Sequence, residues 1–75
     1  MKGYKPGKQL LNGAVLVAHR PAVEECHHGG IIVLAIRPGA GDYAIWYVDT
    51  NGITWAGDYT KIFTEAIEYY ENKIA

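Results

Sequence analysis

The sequence predicts an α+β domain: an antiparallel meander of three to four strands with one C-terminal helix packed on one face. Three observations carry this. Short β-branched and aromatic runs alternate with Gly, Pro, Asn and Asp clusters, the pattern of strands joined by turns. The last segment alone repeats its apolar residues at helical spacing. The chain has 75 residues, enough for one domain and no more.

Each element follows from local chemistry. Residues 1–12 mix Lys, Gly and Pro without periodicity and read as a flexible basic tail, leaving 13–75 as the folded domain. Residues 13–20 (GAVLVAHR) form a first strand, stopped by Pro21. Residues 21–30 (PAVEECHHGG) are a long connecting loop. Residues 31–37 (IIVLAIR) are the strongest strand, continuous and β-branched. Pro38 and Gly39 suit the centre of a type II turn, because Pro presets φ and Gly accepts a positive φ.

A third strand spans residues 43–49 and a fourth 53–59, joined at Asp49-Thr50-Asn51-Gly52. Asp suits the start of a type I turn and Gly the left-handed position that ends it. A three-residue loop with a Gly bulge then pairs Tyr47 with Trp55, in preference to the two-residue loop that pairs Val48 with Trp55. That register puts Tyr43, Ile45, Tyr47, Ile53, Trp55 and Tyr59 on one face, and Ala44, Trp46, Val48, Thr54, Ala56 and Asp58 on the other. Residues 60–73 form the helix, with Thr60 as N-cap and an apolar stripe of Ile62, Phe63, Ala66, Ile67, Tyr70 and Ile74. Phe63, Ile67 and Tyr70 are expected against Ile32 and Leu34.

One helix covers one sheet face. The first two strands are apolar on both faces, whereas a sheet wetted on one side alternates apolar and polar residues. The second face is therefore expected to be covered, and the commonest cover for a chain this small is a second copy in a homodimer.

Composition narrows the function classes. Apolar residues make up 49% of the chain, with two Trp and six Tyr, too many for a disordered segment. The net charge of −1 argues against a nucleic-acid binder. The charge is uneven, however. Residues 1–20 carry Lys2, Lys5, Lys8 and Arg20 and no acid; the remainder carries eight acids against Arg37, Lys61 and Lys73. A single cysteine, Cys26, allows no internal disulfide, and the longest apolar run is too short to span a bilayer. With no signal-peptide pattern, the expected location is the cytoplasm of a bacterium or an infected host cell, away from the membrane.

Candidate chemistry is sparse. Cys26, His27 and His28 have donor types that suit zinc but lack a second ligand pair at metal-binding spacing, so no metal is expected. A Cys–His nucleophile pair there has no orienting acid, and the glycines of residues 37–41 lack the Lys-Ser/Thr of a phosphate loop. No catalytic residue and no cofactor follow, and the expectation is a non-enzyme. What remains is surface. Tyr43, Tyr47, Trp55 and Tyr59, rimmed by Asp42, Asp58, Glu65 and Glu68, form the expected partner-binding face, suited to a protein partner of basic character. The alternatives are a nucleic-acid arm of Lys2, Lys5, Lys8 and Arg20, and a nucleotide sponge that stacks a base at a dimer seam.

The C-terminal half carries an aromatic strand, a D-x-x-G turn and W-x-G-x-Y-x5-E-A-x3-Y/F, at Trp46, Asp49, Gly52, Trp55, Gly57, Tyr59, Glu65, Ala66 and Tyr70. This pattern resembles short uncharacterised proteins of phages and mobile elements, over residues 45–70 only. The resemblance implies a hairpin-plus-helix packing unit and a mobile-element setting. Small proteins there act as stoichiometric inhibitors of host machinery such as CRISPR or restriction defence.

Overall fold

The structure, a computed structural model, describes residues 5–21 and 30–73. Four strands, β1 (Val15–Pro21), β2 (Ile31–Arg37), β3 (Asp42–Val48) and β4 (Thr54–Thr60), precede one helix, α1 (Phe63–Asn72). The sheet runs β1-β2-β3-β4 with every neighbouring pair antiparallel, so the α+β meander with a C-terminal helix is the fold.

The central pair explains the sheet's stability. β2 and β3 pair without interruption from Ile31↔Val48 to Arg37↔Asp42. Their side chains alternate between two cores. On the helix side, Ile32, Leu34, Ile45 and Tyr47 pack with Ala66, flanked by Val17, Ala18, Tyr43, Ile67 and Tyr70. On the other side, Ile31, Val33, Ala35, Ala44, Trp46 and Val48 pack with Leu10, Ala14 and Leu16. β1 serves both cores by slipping register between Leu16 and Ala18, which sends Val17 and Ala18 together to the helix side.

The second face is thus covered from within the chain. Residues 5–12, expected as a tail, fold back on β1 instead. Leu16 accepts from the Gly7 N–H (2.7 Å) and donates to the Lys8 carbonyl (2.8 Å), and Gln9 bridges Val15. A tight turn follows, with Leu10 N–H donating to the Ala14 carbonyl and Gly13 at φ +90°. The cause is Leu10, only 6% exposed, which enters the core beside Ala14 and Leu16. Ile31, Val33 and Ala35 of β2, among the residues from which a homodimer was expected, are buried in the same cluster as Leu10.

Both predicted turns are present, one of them differently built. At residues 49–53, Gly52 N–H donates to the Asp49 carbonyl, Asp49 N–H donates to that of Ile53, and Gly52 sits at φ +83°. Tyr47 pairs with Trp55, the register of the three-residue loop. The turn after β2 is not type II at Pro38-Gly39. Ala40 and Gly41 both donate to the Arg37 carbonyl (3.1 and 2.8 Å), and Gly41 takes the left-handed position at φ +71°. Pairing extends to Arg37↔Asp42, so four residues span the turn and the positive φ moves to the last of them.

The helix begins at Phe63, not at Thr60, which still belongs to β4 and pairs with Tyr43. The Thr60 hydroxyl accepts from Ile62 N–H (3.1 Å) and donates to Glu65 Oε1 (2.7 Å), steering the chain into the helix from just outside it. Ile67 and Tyr70 pack on the Ile32–Leu34 cluster as expected. Phe63 does not; it is 50% exposed and leans on the Tyr43 ring at 5.4 Å.

Candidate partner-binding surface

β4 is the outer strand beyond β3, and its residues from Trp55 to Tyr59 are all exposed. An extra residue enters it opposite Trp46, where the register shifts between Ile45 and Tyr47. Ala56 there adopts φ +55°, a conformation that costs a side chain with a Cβ. The following Gly57 leaves room for the Trp46 indole, which a Cβ would approach to 2.6 Å. This bulge redirects everything after it. Tyr59 pairs with Ala44 and lies on the face away from the helix, while Asp58 pairs with Ile45 on the helix face. Tyr59 therefore leaves the face of Tyr43, Tyr47 and Trp55, on which the register read from the sequence had placed all four.

The tyrosines have separate roles. Tyr47 is buried in the helix-side core, and Tyr43 is half-buried beside it under Phe63. Tyr59 accepts from the Trp46 indole N–H (3.0 Å), meets that ring edge-on, and carries the Arg37 guanidinium 4.2 Å above its own ring. Arg37 also grips Asp42 through two bonds of 2.7 and 2.6 Å. Its guanidinium holds the Asp42 carboxyl below the usual carboxylate range, and Asp42 in turn raises Arg37. Arg37 was not anticipated as part of any site; the sequence puts it at the end of the second strand, where it indeed lies.

The expected acidic rim is largely committed inside the molecule. Asp42 belongs to Arg37, Asp58 bonds Lys73 at 2.9 Å, and Glu65 accepts from Thr60. Glu68 remains exposed on α1. The alternative arm is similarly broken up. Arg20 donates to the Tyr70 carbonyl (2.6 Å) and to that of Lys73, and stacks over the Tyr70 ring at 5.3 Å, so it closes the helix C-terminus. Lys5 and Lys8 are exposed. Lys2, together with Cys26, His27 and His28, lies outside the described residues. Among the described residues no group of three His, Cys, Asp or Glu side chains could hold a metal, and no helix is long and apolar enough to cross a membrane.

Trp55 stands apart. It is 56% exposed, yet its indole N–H donates to Asp49 Oδ2 at 2.9 Å. The other carboxylate oxygen accepts from the backbone N–H groups of Asn51 (2.9 Å) and Ile53 (3.0 Å). The Trp55 bond, followed by the backbone bonds, holds the Asp49 carboxyl below its ordinary range. Near this turn, Leu11 and Ile53, both exposed, line a shallow groove of about 190 Å³ with Asn12, Gly52 and Thr54. A second open groove, about 340 Å³, runs between Asn12–Ala14 and the turn at Pro38, over Trp46. The sequence places Ile53 on the aromatic face but not among the expected contact residues, and Leu11 escaped the sequence reading because exposure of a leucine leaves no mark in the periodicity.

Comparison with protein-family models, with curated proteins and with solved structures finds no match to this chain.

Proposed function

We propose that this chain is a non-catalytic protein-binding module whose contact surface is the tip of the β3–β4 hairpin. The supporting observation is Trp55: a large aromatic, more than half exposed, held in one position by Asp49. Trp is favoured at the centre of protein interfaces because it brings much contact area at little entropic cost. An anchor already fixed in the free protein saves the cost of ordering on binding. Ile53 and Leu11 extend the apolar area beside it. The same reading places the chain in the cytoplasm of a bacterium or an infected cell, as an inhibitor of host machinery such as CRISPR or restriction defence. What supports that setting is the phage-like pattern of residues 45–70.

Photo-crosslinking tests the surface. A benzoylphenylalanine at Ile53 should give a discrete protein adduct in lysate of the source cell, and the same group at Lys5 should not. Trp55→Leu should suppress the adduct. Equal labelling from both positions, or adducts with nucleic acid alone, would count against a protein-binding tip.

A further inference from the structure

The partner's chemistry can be read from what surrounds Trp55, given that the tip is a protein-binding surface. Three aspartates fall among the described residues. Asp42 is paired with Arg37 and Asp58 with Lys73. Asp49 has no cationic partner among the described residues; its side-chain contacts are the backbone N–H groups of Asn51, within the turn, and Ile53, just after it, and the indole. The aromatic rings show the same contrast. Tyr59 lies under Arg37 and Tyr70 under Arg20. The Trp55 ring, the type that attracts cations most strongly, is covered by no cation and no other ring among the described residues.

The indole has a single donor and no acceptor, and that donor is spent on Asp49. A partner therefore gains no hydrogen bond at the ring and meets only its π face. Donation to a carboxylate makes that face richer in electrons, and the uncompensated charge of Asp49 lies alongside. We propose that the Asp49–Trp55 pair is a docking platform for a cationic side chain, an arginine or lysine presented by a basic protein segment. Single-stranded nucleic acid would also stack on an indole, but the carboxylate beside the ring repels its phosphates. A wholly apolar peptide would leave Asp49 without a counter-charge.

The two indole N–H cross-peaks of the ¹⁵N-labelled protein, assigned with Trp55→Leu, read the platform directly. The probes are an oligo-arginine peptide, a neutral leucine-serine peptide of equal length and oligothymidylate, all at physiological salt. The arginine peptide should move the Trp55 cross-peak saturably and leave that of Trp46 in place. Asp49→Asn keeps one oxygen for the Asn51 and Ile53 N–H groups but removes both the charge and the acceptor of the Trp55 indole, so it should weaken binding about two- to five-fold, the scale of an exposed cation–π contact. Trp55→Leu should abolish binding with the backbone spectrum otherwise unchanged. Tighter binding of the leucine-serine peptide at Trp55 would overturn the cationic assignment and leave the protein-binding surface standing. Movement of Trp55 by oligothymidylate alone would overturn both. An arginine peptide that binds wild type and Asp49→Asn equally, or that shifts neither indole, would overturn the platform, and the Ile53 crosslink then decides the surface independently.

Discussion

At the scale of single residues, the same residue type takes opposite roles according to where the backbone puts it. Phe63 lies on the predicted apolar stripe, but the late start of the helix leaves it against Tyr43 at the margin, half in water. Phe63→Ala should therefore cost roughly 1 kcal/mol, about half of what full burial of such a side chain contributes. Leu34→Ala, at a fully buried position, should cost ~2–5 kcal/mol. Urea denaturation followed by fluorescence of the buried Trp46 compares the two, and an unfolded Phe63→Ala protein would show that the helix docks through that ring after all. Asp42 and Asp49 act through charge. Both carboxyls titrate below their ordinary values in the folded chain, Asp42 chiefly through Arg37 and Asp49 chiefly through the Trp55 indole. The unfolded chain then binds protons at higher pH than the folded one. Their contribution is complete above the ordinary carboxylate range and is lost as pH falls through the depressed folded values. Acid unfolding of the Asp42→Asn, Asp49→Asn double variant should accordingly be less steep below pH ~4 than that of wild type.

At the scale of elements, the strands, the hairpin register at Asp49–Gly52 and the docked part of the helix stripe, Ala66, Ile67 and Tyr70, were legible because each is written in a local period or a turn dipeptide. The two register slips were not. Val17 gives no sign that it joins Ala18 on one side, and Gly57 announces flexibility without saying that the chain takes up an extra residue beside it. Those positions are fixed by tertiary demand: the Trp46 indole needs space over Gly57 to reach the Tyr59 hydroxyl. As a result, the aromatic face expected for partner binding is divided between two faces, and only Trp55 of the four keeps an open ring. Gly57→Ala should cost about 1–3 kcal/mol, the usual range for overpacking, and should shift the Trp46 indole resonance; an unchanged resonance would mean the bulge does not hold that ring. Arg20 shows the same limit from the charge side. Read as part of a basic arm, it instead binds the last carbonyls of α1 from β1. Arg20→Met keeps the aliphatic stem and should lose about 1–2 kcal/mol of charged hydrogen bonds and helix-end electrostatics. The loss should appear as reduced helical circular dichroism at intermediate urea, where a mere nucleic-acid contact would leave the melt unchanged.

At the scale of the whole molecule, the sheet is covered on one face by a helix, and on the other it carries a buried cluster that Leu10 joins from outside the strands. The need for a second cover was legible in the doubly apolar strands; its source was not, because Lys, Gly and Pro around Leu10 and Leu11 obscured them. Those two adjacent leucines now make a matched pair. Leu10 is 6% exposed within the core, and Leu11 is 78% exposed beside the hairpin tip. Leu10→Ala should lose ~2–5 kcal/mol, a large share of the ~5–15 kcal/mol that holds a typical domain together. Leu11→Ala should change stability by no more than ~0.5 kcal/mol. Sedimentation of the same proteins completes the test. With its second face filled by Leu10, the wild type should run as an 8.3 kDa monomer at micromolar concentration. Leu10→Ala loosens that cover, exposes Val33, Ala35 and Trp46, and should self-associate. A wild type that dimerises with Leu10 still buried would do so through other exposed apolar residues, and return to a monomer in Trp55→Leu would place that contact at the tip. Equal melting of Leu10→Ala and Leu11→Ala would mean that residues 5–12 do not cover the sheet, and the second face would again need a second copy of the chain.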